Sequence, residues 1–246
     1  MKRLCLRPLT LGLSLALLFS LSGQATQAPG YSFRVLPQTV DAPFVFDEPL
    51  PASRPVAVDW FADAVFIGDA RLKELLAAQL FQPGLVLAEM GFNVRDVRSD
   101  SGFSLNGERI SLRQVLKGTK YRKVYLALGF NEASWMGEQE FYEEYEALID
   151  DLQALLPETQ IYIQTLIPVT VSRAAAQAPD NALLESRNTL LAQLAQNKRV
   201  YLADVAAYLT EPNGALGPGF SRDGLHLTAE GNTRWFEYLR THTMGT

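Results

Sequence analysis

Val65-Phe66-Ile67-Gly68-Asp69-Ala70-Arg71 decides how this chain folds. Residues 64–67 form a short apolar run closed by a glycine, the pattern of a strand buried on both faces. Gly68-Asp69 reads as a tight turn. Residues 71–81 then place Leu72, Leu75, Leu76 and Leu80 on one side of a helix. Strand, turn and helix follow one another with no spare residues, which is the start of an α/β unit.

The pattern recurs along the chain. Strands are expected at 85–90, 123–128, 160–169 and 200–204, and helices at 141–156, 181–196 and 228–239. Thr228 is placed to cap the last helix, and Pro157 to end the first of the three. Strands separated by helices pair in parallel, with helices on both faces. The expectation is a three-layer α/β/α domain around a five-stranded parallel sheet, flavodoxin-like in kind. Residues 103–110 break the rhythm, and Asn106-Gly107 between apolar runs marks a small hairpin. The face made by Phe141, Tyr142, Tyr145 and Leu148 is read as helix packing.

The start of the chain is a separate object. Lys2, Arg3 and Arg7 precede an apolar stretch at 9–21, and small residues follow, with Gly23-Gln24-Ala25 or Thr26-Gln27-Ala28 as cleavage sites. This reads as a signal peptide over residues 1–28, with an uncleaved anchor as the alternative. The stretch is short for a membrane-spanning helix, so no stable span is expected after cleavage. Residues 29–60 are rich in proline (Pro37, Pro43, Pro49, Pro51, Pro55) and form an arm or linker. Residues 61–246 form the domain. The expected location is extracytoplasmic: secreted, or in the cell envelope or periplasm.

Of 22 basic residues, three lie in the signal, which holds none of the 27 acidic ones. The remainder therefore carries 19 basic and 27 acidic residues, a net charge of −8. No basic run or stripe is present, which argues against nucleic acid as a partner. The one cysteine, Cys5, lies in the signal, so the rest of the chain offers no disulfide, thiolate metal site or thiol nucleophile. No cofactor and no metal are expected.

Three segments carry chemistry: Gly68-Asp69-Ala70, Leu128-Gly129-Phe130-Asn131-Glu132 and Asp223-Gly224-Leu225-His226. The first two, and Gly91, follow expected strands. Ligands of such sheets bind outside the carboxyl ends of the strands. In this order the segments resemble the Gly-Asp-Ser, Gly-x-Asn-Asp and Asp-x-x-His signatures of the SGNH (GDSL-type) hydrolase superfamily. The likeness spans residues 64–231. It implies an ester hydrolase fold in which His226 is the general base and Asp223 orients it. The oxyanion donors implied are the N–H of residue 70, the Gly91 N–H and the Asn131 side chain. Glu132 stands where the family has aspartate and keeps the charge. Ala70 stands where the family has its nucleophilic serine.

Alanine removes the attacking hydroxyl and leaves the rest of the acyl-transfer machinery. The sequence therefore points to an impaired enzyme or pseudoenzyme that binds an acylated or anionic ligand, a small-molecule, carbohydrate or lipid ester. The alternative is an active hydrolase or acyltransferase. It would use water activated by His226, or a relocated nucleophile among Ser99, Ser101, Ser104 and Ser134. An engineered serine-to-alanine exchange would give the same sequence; the retained signal and the lack of a tag favour a natural alanine. A vestigial cleft on a scaffold protein is the third reading. Each residue also has a plain structural reading. Asp69 can simply hold its turn, Asn131 a loop, and His226 a cap. Trp135 can line an acyl or sugar pocket, or cover the core edge.

Overall fold

The alternation of strand and helix is present in a computed structural model, which describes residues 44–245 except 101 and 106. The signal at 1–28 and residues 29–43 of the Pro-rich arm lie outside the described residues, as do Ser101 and Asn106. The strands are β1 (Ala64–Gly68), β2 (Leu85–Ala88), β3 (Phe103–Leu105), β4 (Glu108–Ile110), β5 (Lys123–Ala127), β6 (Gln160–Gln164) and β7 (Tyr201–Ala203). The helices are α1 (Ala70–Ala77), α2 (Val94–Arg98), α3 (Leu112–Leu116), α4 (Glu138–Leu155), α5 (Val171–Ala176), α6 (Asn181–Lys198) and α7 (Ala229–Thr241).

Five strands form one sheet in the order β2-β1-β5-β6-β7, and every pairing is parallel. From β1 the chain goes to β2 on one side and then crosses to β5 on the other. The strand order reverses there, which opens a crevice at the carboxyl end of β1. β3 and β4 form the expected separate hairpin, with Gly107 at φ +85° in its turn.

Side chains alternate across each strand, so the two faces of the sheet have different cores. Val65, Ile67, Val124, Leu126, Ile161 and Ile163 make an aliphatic face against α2, α3, α4 and α6. Phe141, Tyr145 and Leu148 of α4 are buried in it, as the helix-packing reading requires. The other face is aromatic and meets α1 and α7. Phe66, Tyr125, Tyr162 and Tyr201 stand in register on four neighbouring strands. Their ring centroids are 4.6, 4.5 and 5.1 Å apart. Phe61, Phe81 and Phe236 close over the ladder, with Phe81 and Phe236 stacked at 4.6 Å.

The end of the Pro-rich segment lies along the far edge of this layer. The Leu50 N–H donates to Leu202 O at 2.8 Å and the Val56 N–H to Arg240 O at 2.9 Å, and both side chains are buried. The helix ends are capped by their own sequences. Thr228 Oγ1 accepts the Gly231 N–H at the start of α7, and Asp180 accepts the Leu183 N–H at the start of α6.

Two strands are shorter than their apolar runs. β2 stops at Ala88 because the chain turns through Gly91 at φ +76°. β6 stops at Gln164, although residues 165–169 are all buried. The backbone of that stretch pairs with side chains of α6 instead of a strand. Asn188 bonds the N–H and carbonyl of Leu166 at 2.6 and 3.1 Å. Asn181 does the same for Val169 at 2.8 and 2.9 Å. Two amide side chains thus satisfy buried peptide groups that would otherwise need a ladder.

Candidate active site

Each motif sits on a loop at the carboxyl end of the sheet. Asp69 caps α1, its Oδ1 accepting the Arg71 N–H at 3.0 Å. Ala70 is the first residue of that helix, where a backbone N–H has no intrahelical acceptor. The next strand end carries Gly91, which is exposed and whose N–H has no hydrogen-bond partner among the described residues. Asn131 and Glu132 follow β5.

The first two loops and the third are bonded together by side chains. Asn131 Nδ2 donates to Phe92 O at 2.7 Å and to Asp69 Oδ2 at 3.3 Å. Glu132, fully buried, accepts the Val94 N–H on Oε1 at 2.9 Å. Its other carboxylate oxygen is buried without a partner among the described residues. Burial pushes the Glu132 carboxyl up to about 7, against the pull of the Val94 N–H and its own, and the charges of Asp69 and Asp96 add to the rise. Asp69 is raised too, chiefly by burial. The Arg71 charge, the N–H groups of Arg71 and Leu72, and a charge on His226 act in the opposite sense.

His226 is built differently. Its Nδ1 lies 2.7 Å from Asp223 Oδ2, while Asp223 Oδ1 accepts the Leu225 and His226 N–H groups at 3.0 and 2.8 Å. The small desolvation cost of Asp223 would raise its carboxyl. Hydrogen bonds from the His226 ring and backbone and from the Leu225 N–H outweigh it and hold the group well below the usual carboxylate range. The Ser221 hydroxyl bonds His226 O at 3.0 Å and accepts the Gly224 N–H at 2.8 Å, which closes the turn. Gly224 has φ +91°, and a Cβ there would stand 2.6 Å from Thr170 Oγ1 and from Arg173 Cβ. Only glycine lets this loop lie against the end of β6, where the Thr170 N–H donates to Gly224 O at 3.0 Å.

The fold thus forms two bonded pairs, Asp69 with Asn131 and Asp223 with His226, and no hydrogen bond joins one to the other among the described residues. With Nδ1 held by Asp223, Nε2 is the ring nitrogen left for a proton transfer. None of the described serines bonds the His226 ring. Ser99 caps the end of α2 through Asp96 O, Ser104 lies exposed on the hairpin, and Ser134 is exposed. The Asp223–His226 pair and the Asn131 amide are in place, and residue 70 has no hydroxyl.

Two residues of the site escape a reading of motifs. Arg71, a charge at the start of a helix, looks solvated in the sequence but is buried. Its Nη1 donates to Ile167 O at 2.8 Å and its guanidinium lies 4.2 Å from the centre of the Phe130 ring. Burial pulls its pKa down, while Asp69 and Glu74 push it up. Beside it, Asp69, Phe130, Thr165, Ile167 and Trp235 line a cavity of about 20 Å³, the size of about one water. Trp135 is the second, outside the motifs but already offered by the sequence as a pocket wall or a cover for the core edge. It is 55% exposed, so it does not cover the core, and its Nε1–H donates to Asn131 O at 2.8 Å.

A wider concavity, about 770 Å³, lies at the other end of the sheet, bounded by Trp60, Asp63, Lys123, Gln160 and Met244. It holds none of the motif residues, and the chemistry of the carboxyl-end loops outweighs its size. Among the described residues there is no cluster of His, Cys, Asp and Glu able to hold a metal, and no helix long and apolar enough to cross a membrane.

Residues 59–234 match the model of the GDSL-like lipase/acylhydrolase family. The chain belongs to that family. Solved structures agree on the fold. A Streptococcus pneumonia protein described as a platelet activating factor is 22% identical, with a TM-score of 0.60 over 72% of this chain and 81% of that one. An SGNH hydrolase from Slackia heliotrinireducens is 16% identical, with a TM-score of 0.55 over 72% and 96% of the two chains. A GDSL-like lipase from Bacteroides thetaiotaomicron is 13% identical, with a TM-score of 0.52 over 72% and 84%. No curated protein matches the sequence. The GDSL-like family thus accounts for the sheet order and for the loops that carry the motifs. Residue 70 of this chain is alanine.

Proposed function

We propose that this chain is an exported GDSL-like protein that binds acyl esters at the carboxyl end of its sheet and hydrolyses them weakly or not at all. The observation that carries the reading is the Asp223–His226 bond of 2.7 Å, kept in a chain that has a methyl group at position 70. A general base with an orienting carboxylate is useful only if there is a proton to take. Alanine has no hydroxyl proton and no lone pair to attack with. Losing the nucleophile from a comparable triad costs on the order of 10⁶ in kcat. The Ala70 and Gly91 N–H groups can still polarise an ester carbonyl, and the Asn131 amide joins them by giving up its long bond of 3.3 Å to Asp69, which favours binding over turnover.

The test restores the atom. Ala70→Ser is expected to raise hydrolysis of short-chain alkyl esters at least about 100-fold over the unmodified protein. The double variant with His226→Ala should lose that gain. Robust turnover by the unmodified protein that needs His226 would instead identify water activated by the ring as the attacking group. A folded Ala70→Ser protein with no gain across several acyl lengths would leave the cleft to binding alone. Export is tested separately. N-terminal sequencing of the extracytoplasmic fraction is expected to find a start after Ala25 or Ala28, and an intact Met1 in the membrane pellet would defeat it.

A further inference from the structure

Three large apolar side chains stand exposed at the carboxyl end of the sheet. Met90 follows β2, Trp135 follows β5 and Val171 starts α5 after β6. Trp135 differs from the other two in being fixed. Its Nε1–H is held by the carbonyl of Asn131, whose side chain is the candidate oxyanion donor. The turn between them is closed by the Trp135 and Met136 N–H groups donating to Glu132 O at 3.2 and 2.9 Å. An exposed indole is therefore set beside Asn131 on the same turn, at little cost in side-chain freedom.

What surrounds the ring selects its ligand. The Arg95 guanidinium lies 6.0 Å from the ring centre. Arg95 is paired with Glu140, and with Glu144 at 3.0 Å. Arg98 continues the network to Glu144 at 2.5 Å and Asp151 at 3.3 Å. An acyl chain laid over the indole would strip water from these ions without replacing it. A sugar ring has the opposite fit. Its C–H face covers the indole, and its hydroxyls meet charged groups that remain 44% exposed and able to bond.

We infer that Trp135 is the stacking platform for a sugar ring that carries the ester, so that the ligand is an acylated carbohydrate. The inference rests on the proposed ester-binding function and narrows it. The sugar lies on Trp135, its hydroxyls reach Arg95 and Glu140, and its ester carbonyl is presented to Asn131 and to position 70.

The unmodified Ala70 protein is suited to the test, because it should hold the ester without consuming it. Titration with O-acetylated xylo-oligosaccharide, followed by calorimetry and tryptophan fluorescence, is expected to show saturable binding. Trp135→Ala should weaken it at least about 10-fold, and Trp135→Phe should recover most of the loss. The same substitutions placed on Ala70→Ser should lower the ratio of kcat/KM for the acetylated oligosaccharide to that for a short alkyl ester at least about 10-fold. Circular dichroism and melting temperature establish that each variant is folded. Equal losses for both esters, no loss with Trp135→Ala, or no binding of the oligosaccharide to a folded protein would each overturn the sugar assignment. If Ala70→Ser hydrolyses alkyl esters in that event, the proposed function stands and only its narrowing fails. If Ala70→Ser is silent while Trp135-dependent sugar binding persists, the sugar platform stands and the gain of hydrolysis expected at position 70 fails.

Discussion

Asp69, Asn131 and Glu132 are buried or half-buried and bond three loops to one another, whereas Asp223 and His226 are more exposed and bond within one turn of one loop. The first group is part of how the sheet end is held together. The second is a local motif, fastened to the domain by Gly224, Thr170 and Ser221. The difference teaches that the two halves of an acyl-transfer site need not be under the same physical constraint. The donor half cannot be discarded without disturbing the fold. The Asp223–His226 pair bonds within one loop, so its loss would disturb the fold less.

The sharpest way to break this comparison is to make both halves act together. On the Ala70→Ser background, His226→Ala should return hydrolysis to the level of the unmodified protein. Asn131→Ala should cost about 10²–10³ in kcat if its amide serves the oxyanion, measured with saturating ester. Equal hydrolysis by Ala70→Ser and by Ala70→Ser with Asn131→Ala would reduce Asn131 to a loop tie.

The next effect is on stability. Glu132→Ala removes the acceptor of the Val94 N–H inside the protein and should cost about 1–3 kcal/mol in urea unfolding. Its pH dependence carries a definite sign. The folded carboxyl is raised from 4.5 to about 7, so the folded state binds the extra proton. The contribution is complete below the unfolded value and is lost as pH rises through the folded one. Glu132→Gln mimics the protonated form at every pH. The unmodified protein should therefore lose on the order of 2–3 kcal/mol relative to Glu132→Gln between pH 4.5 and pH 7.5. Parallel curves for the two proteins would sink the buried-carboxyl account.

The smallest effect is predicted for the other half. His226→Ala and Asp223→Asn should each change unfolding free energy by no more than about 0.5 kcal/mol, because the pair is exposed and local. A cost above about 2 kcal/mol for either would show that the loop is as integral to the fold as the donor half.

The fold was legible because each strand is a run of buried apolar residues closed by a turn, a pattern set by burial itself. The strand ends were not. Residues 165–169 are as buried as β6, but Pro168 has no N–H for a ladder, and the amides of Asn181 and Asn188, farther along the chain, take up the backbone of Val169 and Leu166. In the site, Asp223 and His226 could be read as a pair because their bond spans three residues. The Asn131 bond to Asp69 crosses 62 positions, and the Glu132 bond to Val94 crosses 38. Spacing cannot reveal such contacts. Arg71 was missed for the related reason that its partner, the Ile167 carbonyl, is a backbone atom on another loop.

The ladder of Phe66, Tyr125, Tyr162 and Tyr201 bears on how the chain assembles. Parallel strands have no hairpin to align them, and the connections here are whole helices. A strand that paired one residue out of step would turn its ring to the aliphatic face and leave a gap in the stack. The four rings therefore act as a gauge of strand alignment. Their near-ultraviolet dichroism should appear only when the strands have closed in step, later than the far-ultraviolet signal of the helices, and would time that event during refolding.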